Sequence, residues 1–532
     1  MSGFEGIPVW RHCRPTPVPV AHGEPEPCRV LVVGAGPVGL TVALGLARAG
    51  HPVTIVSRLP FIAAGSKAIC FSKRSLDIWN RLGVARAMVD KGVVWNVGKV
   101  FKGASDAPIY QFDMLPVKDQ AMPGFINLQQ YYVEAILVDA LAALPNVELR
   151  WGHEVVGLAR QDTAVDVSLR ASDGSTYRIR ADWLIACDGS RSPVRRMLEL
   201  DFAGRVFEDH FLIADVKLRD ERPAERWFWF DPPFNPGRSA LLHKQPDDIW
   251  RLDFQLGPDV DRKAVLRADY VEALVRGMLG PGIRFEREWY SLYTFQCRRM
   301  ARFVHGRVIF AGDSAHLVSP FGARGCNGGV ADADNLVWKL DLVLRGAATE
   351  RLLESYNTEA IVTADENILN STRATDFIVP KSPGARLLRD AVLDLARDHG
   401  GARPFVNSGR LSTAVAYADG PLNTADETGA AWAGIAPGAA ALDAPFDGGW
   451  LLERLGGRFV LLAHRWSGGD LPDGAVIDIA GKSGADLVAE RFDLTPGSAC
   501  LVRPDQYVAA RWRKPTLSSI AQARVRATGG SA

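Results

Sequence analysis

Residues 28–39, CRVLVVGAGPVG, constrain the fold more than any other stretch of the chain. A short apolar run suited to a buried strand ends at Gly34, and glycines at 34, 36 and 39 have the GxGxxG spacing. Leu40, Ala43, Leu44 and Ala47 then recur on one helical face, and HPVTIV at 51–56 supplies a second strand. Strand, turn, helix and strand in that order predict the opening of a dinucleotide-binding α/β fold. The first glycine permits a tight turn, the second a close backbone approach to a pyrophosphate, and the third close helix packing. Anionic oxygens would meet free amides at the helix start. The plainer reading is a structural glycine turn. The acidic residue expected about 20 positions on to hold the ribose is absent. Ser57 and Arg58 stand there instead, a weaker hydrogen-bonding group and a cation suited to a phosphate.

A chain of 532 residues exceeds the size of one core, so two or three domains are expected. With 62 basic and 61 acidic residues the chain offers no global field for nucleic acid or an anionic membrane. Its seven cysteines, at 13, 28, 70, 187, 297, 326 and 500, include no CxxC and no Cys/His ligand spacing. They read as reduced thiols of a cytosolic chain without a structural metal. No apolar signal core and no run long enough to span a bilayer is present.

The pattern divides the chain into a proline-rich N-terminal extension (1–27), a first nucleotide-binding part (28–200) and a sheet region (201–300). A return to the first domain with helices (301–380), a linker (381–430) and a small α/β domain (431–532) follow. Residues 130–144, QYYVEAILVDALAAL, predict an amphipathic helix, and Asp173-Gly174 a hairpin turn. The stretch 208–256 is rich in aromatic and β-branched residues and reads as an inserted antiparallel sheet.

A second glycine-broken turn lies far downstream, GDSAHLVSPFGARGCN at 312–327, following the apolar VIFA. Asp313 is acceptor-rich and suits a vicinal polyol, while Gly322 and Gly325 let backbone approach a planar ring. Helix-start amides near Asn327 would stabilise negative charge. The plainer reading makes Asp313 a helix cap and His316 a hydrogen-bonded loop histidine. No partner at metal-like spacing surrounds His316, and Ser314 lies outside a G-x-S-x-G elbow, which argues against a hydrolase.

Together with ACDGSRSPVRR at 186–196, the two glycine-broken turns resemble the three signatures of group A flavoprotein monooxygenases, the single-component aromatic hydroxylases. The resemblance covers residues 28–375, and the tail resembles the thioredoxin-like terminal domain of phenol-hydroxylase-like members. It implies a discontinuous Rossmann-like FAD-binding domain, an inserted mixed β-sheet substrate domain and that terminal domain, to which structural support and pairing of two copies are ascribed. It implies FAD, NADH or NADPH as co-substrate, and O2. A flavin C4a-hydroperoxide would hydroxylate a phenolic or otherwise hydroxylated aromatic compound. By the same resemblance Gly34, Gly36 and Gly39 surround the pyrophosphate, with Ser57 and Arg58 at the ribose position. Gln130, Asp188 and Asp313 contact FAD, Arg195 and Arg196 are accessory cations, and Lys67 stands where an arginine often occurs. Pro320, Gly322, Gly325, Cys326 and Asn327 lie beside the isoalloxazine ring.

The substrate side is less determined. Trp227, Trp229, Asp231, Arg251 and Pro320 are candidate wall residues, with His243, Asp253 and Gln255 as further polar contributors. In the plainer reading the aromatics simply fill a core. Tyr290, Tyr293 and His243 are the candidates for activating a phenol, and none is singled out. Two other functions stay open: an FAD-dependent dehydrogenase or reductase without oxygen insertion, and a non-catalytic flavin-fold binding protein.

Overall fold

The structure of the chain is a computed structural model that describes residues 15–18, 24–63, 67–406, 411–426, 431–469, 471 and 474–530. Cys13, most of the N-terminal extension and parts of the 381–430 linker lie outside the described residues. Glu26–Val33 forms a strand, Pro37–Arg48 a helix, and Val53–Ser57 a second strand parallel to the first, with Val30 beside Val53. Strands Thr176–Ala186 and Val308–Phe310 continue the parallel sheet on one side, and Val147–Trp151 on the other. Val30, Leu31, Val32, Ile55, Leu184 and Ile185 are fully buried. Such unbroken apolar runs are what a parallel sheet covered on both faces requires. The strand Val308–Phe310 arrives after the chain has built a second sheet, so the nucleotide-binding unit is discontinuous. Hairpin strands Val165–Ala171 and Thr176–Ala186 pair around Gly174, whose φ is +87°.

The second sheet has eight strands, ordered 316–317, 286–299, 203–217, 249–255, 239–244, 226–230, 97–102 and 110–113. It is antiparallel except where Arg226–Phe230 runs parallel to Val97–Lys102. The expected sheet region, 201–300, is therefore too narrow. Two edge strands come from near residue 100, a pairing across more than a hundred positions that no local pattern announces. Alternate residues point to opposite faces. One face, with Leu242, Trp250, Leu252, Phe254 and Tyr290, packs on helix Ala268–Leu279. The other, with Phe211, Phe228, Phe230, Leu241 and Phe295, packs on Phe321 and on the helices that carry Ile378 and Leu393.

The expected 381–430 linker opens with a helix, Pro383–Asp398, in which Ser382 Oγ accepts the Ala385 N–H. Its Ser-Pro start is a local cap signal that the surrounding glycine and proline content obscured. The terminal domain is a four-stranded sheet, ordered 475–478, 460–463, 499–502 and 508–512, with helices Ala485–Phe492 and Leu517–Ala527. Among the described residues no helix is long and apolar enough to cross a membrane.

Candidate functional site

The three glycines of the opening turn differ physically. Gly34 has φ +112°, and a Cβ there would stand 2.3 Å from the Cys187 carbonyl oxygen. A Cβ at Gly39 would stand 2.0 Å from Gly34 O, whereas one at Gly36 would meet nothing within 4 Å. The first and third positions are glycine because backbone crowds them, and the second opens onto space above the helix. Gly36 caps that helix without a side-chain hydrogen bond, and Pro37 follows it. Unengaged amides and the positive end of the helix dipole there make a phosphate cradle. Ser57 is buried at the end of its strand, and Arg58 beside it is exposed.

The downstream turn packs onto this cradle. A Cβ at Gly312 would come 2.9 Å from Val38 Cγ2, so the two turns are in direct contact. Asp313 is exposed and its carboxylate has no hydrogen-bond donor among the described residues; desolvation by the protein beside it raises its pKa, and the charges of His316 and Lys67 offset part of that. His316 Nε2 stands 2.5 Å from Asp332 Oδ2, which also accepts the Gly312 N–H at 2.9 Å. Burial alone would lower the His316 pKa, but Asp332 outweighs it and the net shift is upward. His316 is thus a hydrogen-bonded loop residue that holds the turn. Arg195 donates to the carbonyls of Ser314 at 2.6 Å and Ser190 at 2.8 Å, tying the central motif to the downstream one. Asp188 Oδ2 accepts the Val194 N–H, and Oδ1 is buried without a partner among the described residues. Half of this carboxylate serves the turn and half stays available. The Arg196 side chain donates to the Arg191 carbonyl nearby.

Helix Gly325–Leu344 starts without a side-chain cap at Arg324, leaving its first amides open. The loop before it holds Pro320, which is exposed, Gly322 at φ +93° and Ala323 at φ +51°. Burial raises the Cys326 thiol, with Asp313 and Glu134 adding to it. Asn327 takes another role than the expected one: Oδ1 accepts from Ser72 N and Ser75 Oγ, and Nδ2 donates to Cys70 O and Ala323 O. Its side chain is committed to the protein, which leaves only backbone for a ring. Gln130 accepts the Ala68 N–H at 3.2 Å and donates to Glu134 at 2.7 Å. Burial pushes Glu134 up to about 7, against the Gln130 hydrogen bond and the Lys67 charge. Lys67 therefore faces two carboxyls at once, and its carbonyl accepts from Arg251 Nη1 at 3.0 Å.

The sheet face that carries Phe321 decides among the substrate candidates. Trp227 and Trp229 are on the opposite face, where Trp229 stacks on Phe101 at 5.1 Å and meets Phe234 at 5.9 Å. As candidate wall residues they are therefore corrected: they are off the face that packs on Phe321, where the alternate residues Phe228 and Phe230 are buried in the core. Asp231 is corrected as well: it is exposed at φ +51° and accepts the Gly237 N–H within a hairpin turn. Arg251 is on the cleft face but forks onto Asp215 at 2.8 and 2.9 Å, a buried pair that anchors the Lys67 segment. Tyr290 is 8% exposed in the outer core, whereas Tyr293 is 43% exposed on the cleft face, its ring 5.5 Å from Phe295. Burial and the nearby Asp313 push the Tyr293 phenol up to about 12, so at neutral pH it is a donor. His243 lies buried between Arg226 and Arg251, its cross-strand neighbours. Burial first, and then those cations, hold its pKa well below the ordinary value, so it is neutral, with Nδ1 unpartnered. Asp253, diagonal to it, is pushed up to about 6 by burial against the charge of Arg251, and its Oδ1 has no partner among the described residues. Gln255 Oε1 accepts from Ser239 N and Oγ and is structural.

Asp332 and Glu134 were not found as site residues from the sequence. Asp332 acts through a histidine sixteen positions away, and the one signal for Glu134 is a buried carboxylate on an apolar helix face.

An open second-glycine position, an uncapped helix start, a carboxylate without a protein partner and glycines along a flat loop fit a dinucleotide that carries a polyol and a planar ring. The FAD binding domain family matches residues 27–371. The 3-(3-hydroxy-phenyl)propionate/3-hydroxycinnamic acid hydroxylase of Burkholderia cenocepacia (strain HI2424) is 29% identical over 517 residues, covering 91% of this chain and 93% of that one. The 6-methylpretetramide 4-monooxygenase of Streptomyces rimosus is 30% identical over 544 residues, covering 92% of each. The crystal structure of the flavin-dependent monooxygenase PieE in complex with FAD and substrate superposes with a TM-score of 0.79 at 24% identity, over 95% of this chain and 100% of that one, and shows the same fold. With the cradle, the fold and these relatives in agreement, the chain belongs to the FAD binding domain family and is an FAD-dependent monooxygenase.

Proposed function

We propose that the chain hydroxylates a phenolic or otherwise hydroxylated aromatic compound, with NADH or NADPH as reductant and O2 as oxidant. The observation that carries this is the sheet face that packs on Phe321, aromatic at Phe211, Phe228, Phe230 and Phe295, with Tyr293, His243, Arg251 and Asp253 among its polar groups. Bound FAD supplies the oxygen activation. In this reading the cradle at Gly36 and Asp313 hold the cofactor through its phosphates and polyol. Pro320, Gly322 and Gly325 flank its ring, and the open amides at the start of helix Gly325–Leu344 favour negative charge there. Phe228, Phe230, Phe211 and Phe295 are the buried apolar core that backs this face of the sheet. The protonated Tyr293 donates a hydrogen bond to the phenolic oxygen of the substrate and stabilises the developing phenolate, which raises the nucleophilicity of the ring carbons, whereas His243 and Asp253 are strands away from Tyr293 in the sheet.

Tyr293→Phe is expected to lower kcat/KM by about tenfold, the effect of one lost hydrogen bond to a developing phenolate. Tyr290→Phe is expected to stay within about twofold. Equal effects in the two variants, measured by steady-state kinetics, would remove Tyr293 from this role. The reaction itself is tested by following NADH and NADPH oxidation over a panel of phenols under 18O2. One labelled oxygen in the product is expected, and substrate-dependent oxidation without label would instead assign a dehydrogenase. A homodimeric state and a cytosolic location accompany this reading, and sedimentation velocity reads the first directly.

A further inference from the structure

The segment 411–417 lies across the loop assigned to the flavin ring. Ser412 N–H donates to the Gly322 carbonyl at 2.8 Å, Arg324 Nη2 donates to the Leu411 carbonyl at 3.3 Å, and the Leu411 side chain packs with Ala323, Trp95 and Phe125. Below it a cavity of about 20 Å³, room for one water, separates Ser412–Val415 from Asn327 and Gly328 at the helix start. The other side of the segment belongs to the terminal domain. Tyr507 Oη donates to the Val415 carbonyl at 3.1 Å, the Tyr507 and Tyr417 rings stack at 4.8 Å, and the Tyr417 N–H donates to the Gly438 carbonyl at 2.7 Å. Tyr507 is itself fixed, with Arg74 5.2 Å and Arg503 5.5 Å from its ring centre.

The loop holds Gly322 at φ +93° and Ala323 at φ +51°, braced on one side by Phe321 and by Asn327 Nδ2 on the Ala323 carbonyl, and on the other by Ser412. Its carbonyl at 322 is held by a backbone whose own position is set from the terminal domain. We infer that Tyr507 is a positioning residue for the flavin-side loop, acting through Val415 and Ser412 on Gly322, and that the terminal domain is thereby a working part of the cofactor site. The inference rests on the flavin reading of the cleft.

The test uses the full-length chain, stripped of FAD and titrated with FAD by fluorescence, then examined by visible circular dichroism after reconstitution. Tyr507→Phe, which keeps the ring and removes the hydroxyl, is expected to weaken FAD binding about fivefold and to alter the visible dichroism of the bound flavin. Cys500→Ala, buried in the same domain but away from the segment, is expected to leave both unchanged while lowering the melting temperature at least as much. Leu411→Ala provides the same readouts should Tyr507→Phe fold poorly. Wild-type affinity and dichroism in Tyr507→Phe, or equal weakening in Cys500→Ala, would overturn the inference. A wild-type chain that takes up no FAD would instead remove the flavin reading beneath it.

Discussion

Asp313→Ala is expected to bind FAD between about ten- and a hundredfold more weakly than the wild-type chain, with its preference among aromatic substrates unchanged. The Asp313 carboxylate is accessible and has no donor among the described residues, and desolvation by the protein beside it raises its pKa. An accessible carboxylate without a protein donor has its acceptor sites open to the hydroxyls of a ligand. The neighbouring residues are arranged to keep it charged. His316, held by Asp332 2.5 Å away, and Lys67 both favour the ionised form. Hydrogen bonds to a charged acceptor contribute about 1.5–3 kcal/mol each, and one of them lost sets the stated range. Asp313→Asn, which keeps one acceptor, is expected to fall between. Fluorescence titration of the stripped protein measures all three, and an Asp313→Ala affinity equal to wild type would sink the assignment.

Glu359→Ala is expected to cost about 3–5 kcal/mol of stability, read by chemical denaturation, because it removes one side of a buried ion cluster. Glu359 accepts from Arg503 at 2.6 and 2.9 Å, from Lys339 at 2.7 Å and from Asn335 at 2.7 Å, with the three charged side chains at most 1% exposed. Arg503 comes from the terminal domain and also forks onto Asp505, while Trp338 Nε1 donates to Asp505 at 3.0 Å. Without Glu359, Arg503 would keep only Asp505 and Lys339 only Asn335, and the terminal domain would lose one of its polar attachments to the helices at residues 325–344 and 352–378. Burial acts to raise the Glu359 pKa, but Arg503 and then Lys339 outweigh it and hold it down at about 2. The folded value is below the ordinary 4.5, so this stabilisation is present above about pH 4.5 and lost as pH falls towards 2. The wild-type chain should lose stability in that window more steeply than Glu359→Ala. Parallel acid titrations of the two would refute the assignment.

Several features of the cofactor side were legible because they are local. A glycine at φ +112° and one that would place a Cβ 2.0 Å from a carbonyl are demands of a single turn, met within six residues. The parallel strands announced themselves as apolar runs for the same reason. The substrate side was half legible. Alternation separated Trp227 and Trp229 from Phe228 and Phe230, and Tyr290 from Tyr293, but it could not say which set meets the cleft. That depended on Phe321 packing at 5.0 Å against Phe211 and 5.2 Å against Phe295, contacts between segments far apart in the chain. The Asn327 side chain is engaged by Ser72, Ser75 and Cys70, partners more than 250 positions away that no local pattern announces.

By itself the sequence determined the glycine turns, the parity of each strand and the chemical types gathered in three separated motifs, since all of these follow from sterics and hydrogen bonding within a few residues. Only the tertiary structure decided which parity faces the cleft, that Asp313 is left without a protein partner, and that 411–417 is held between the terminal domain and Gly322. Those outcomes come from packing and ion pairing between segments tens to hundreds of residues apart, where the burial of one group depends on every other.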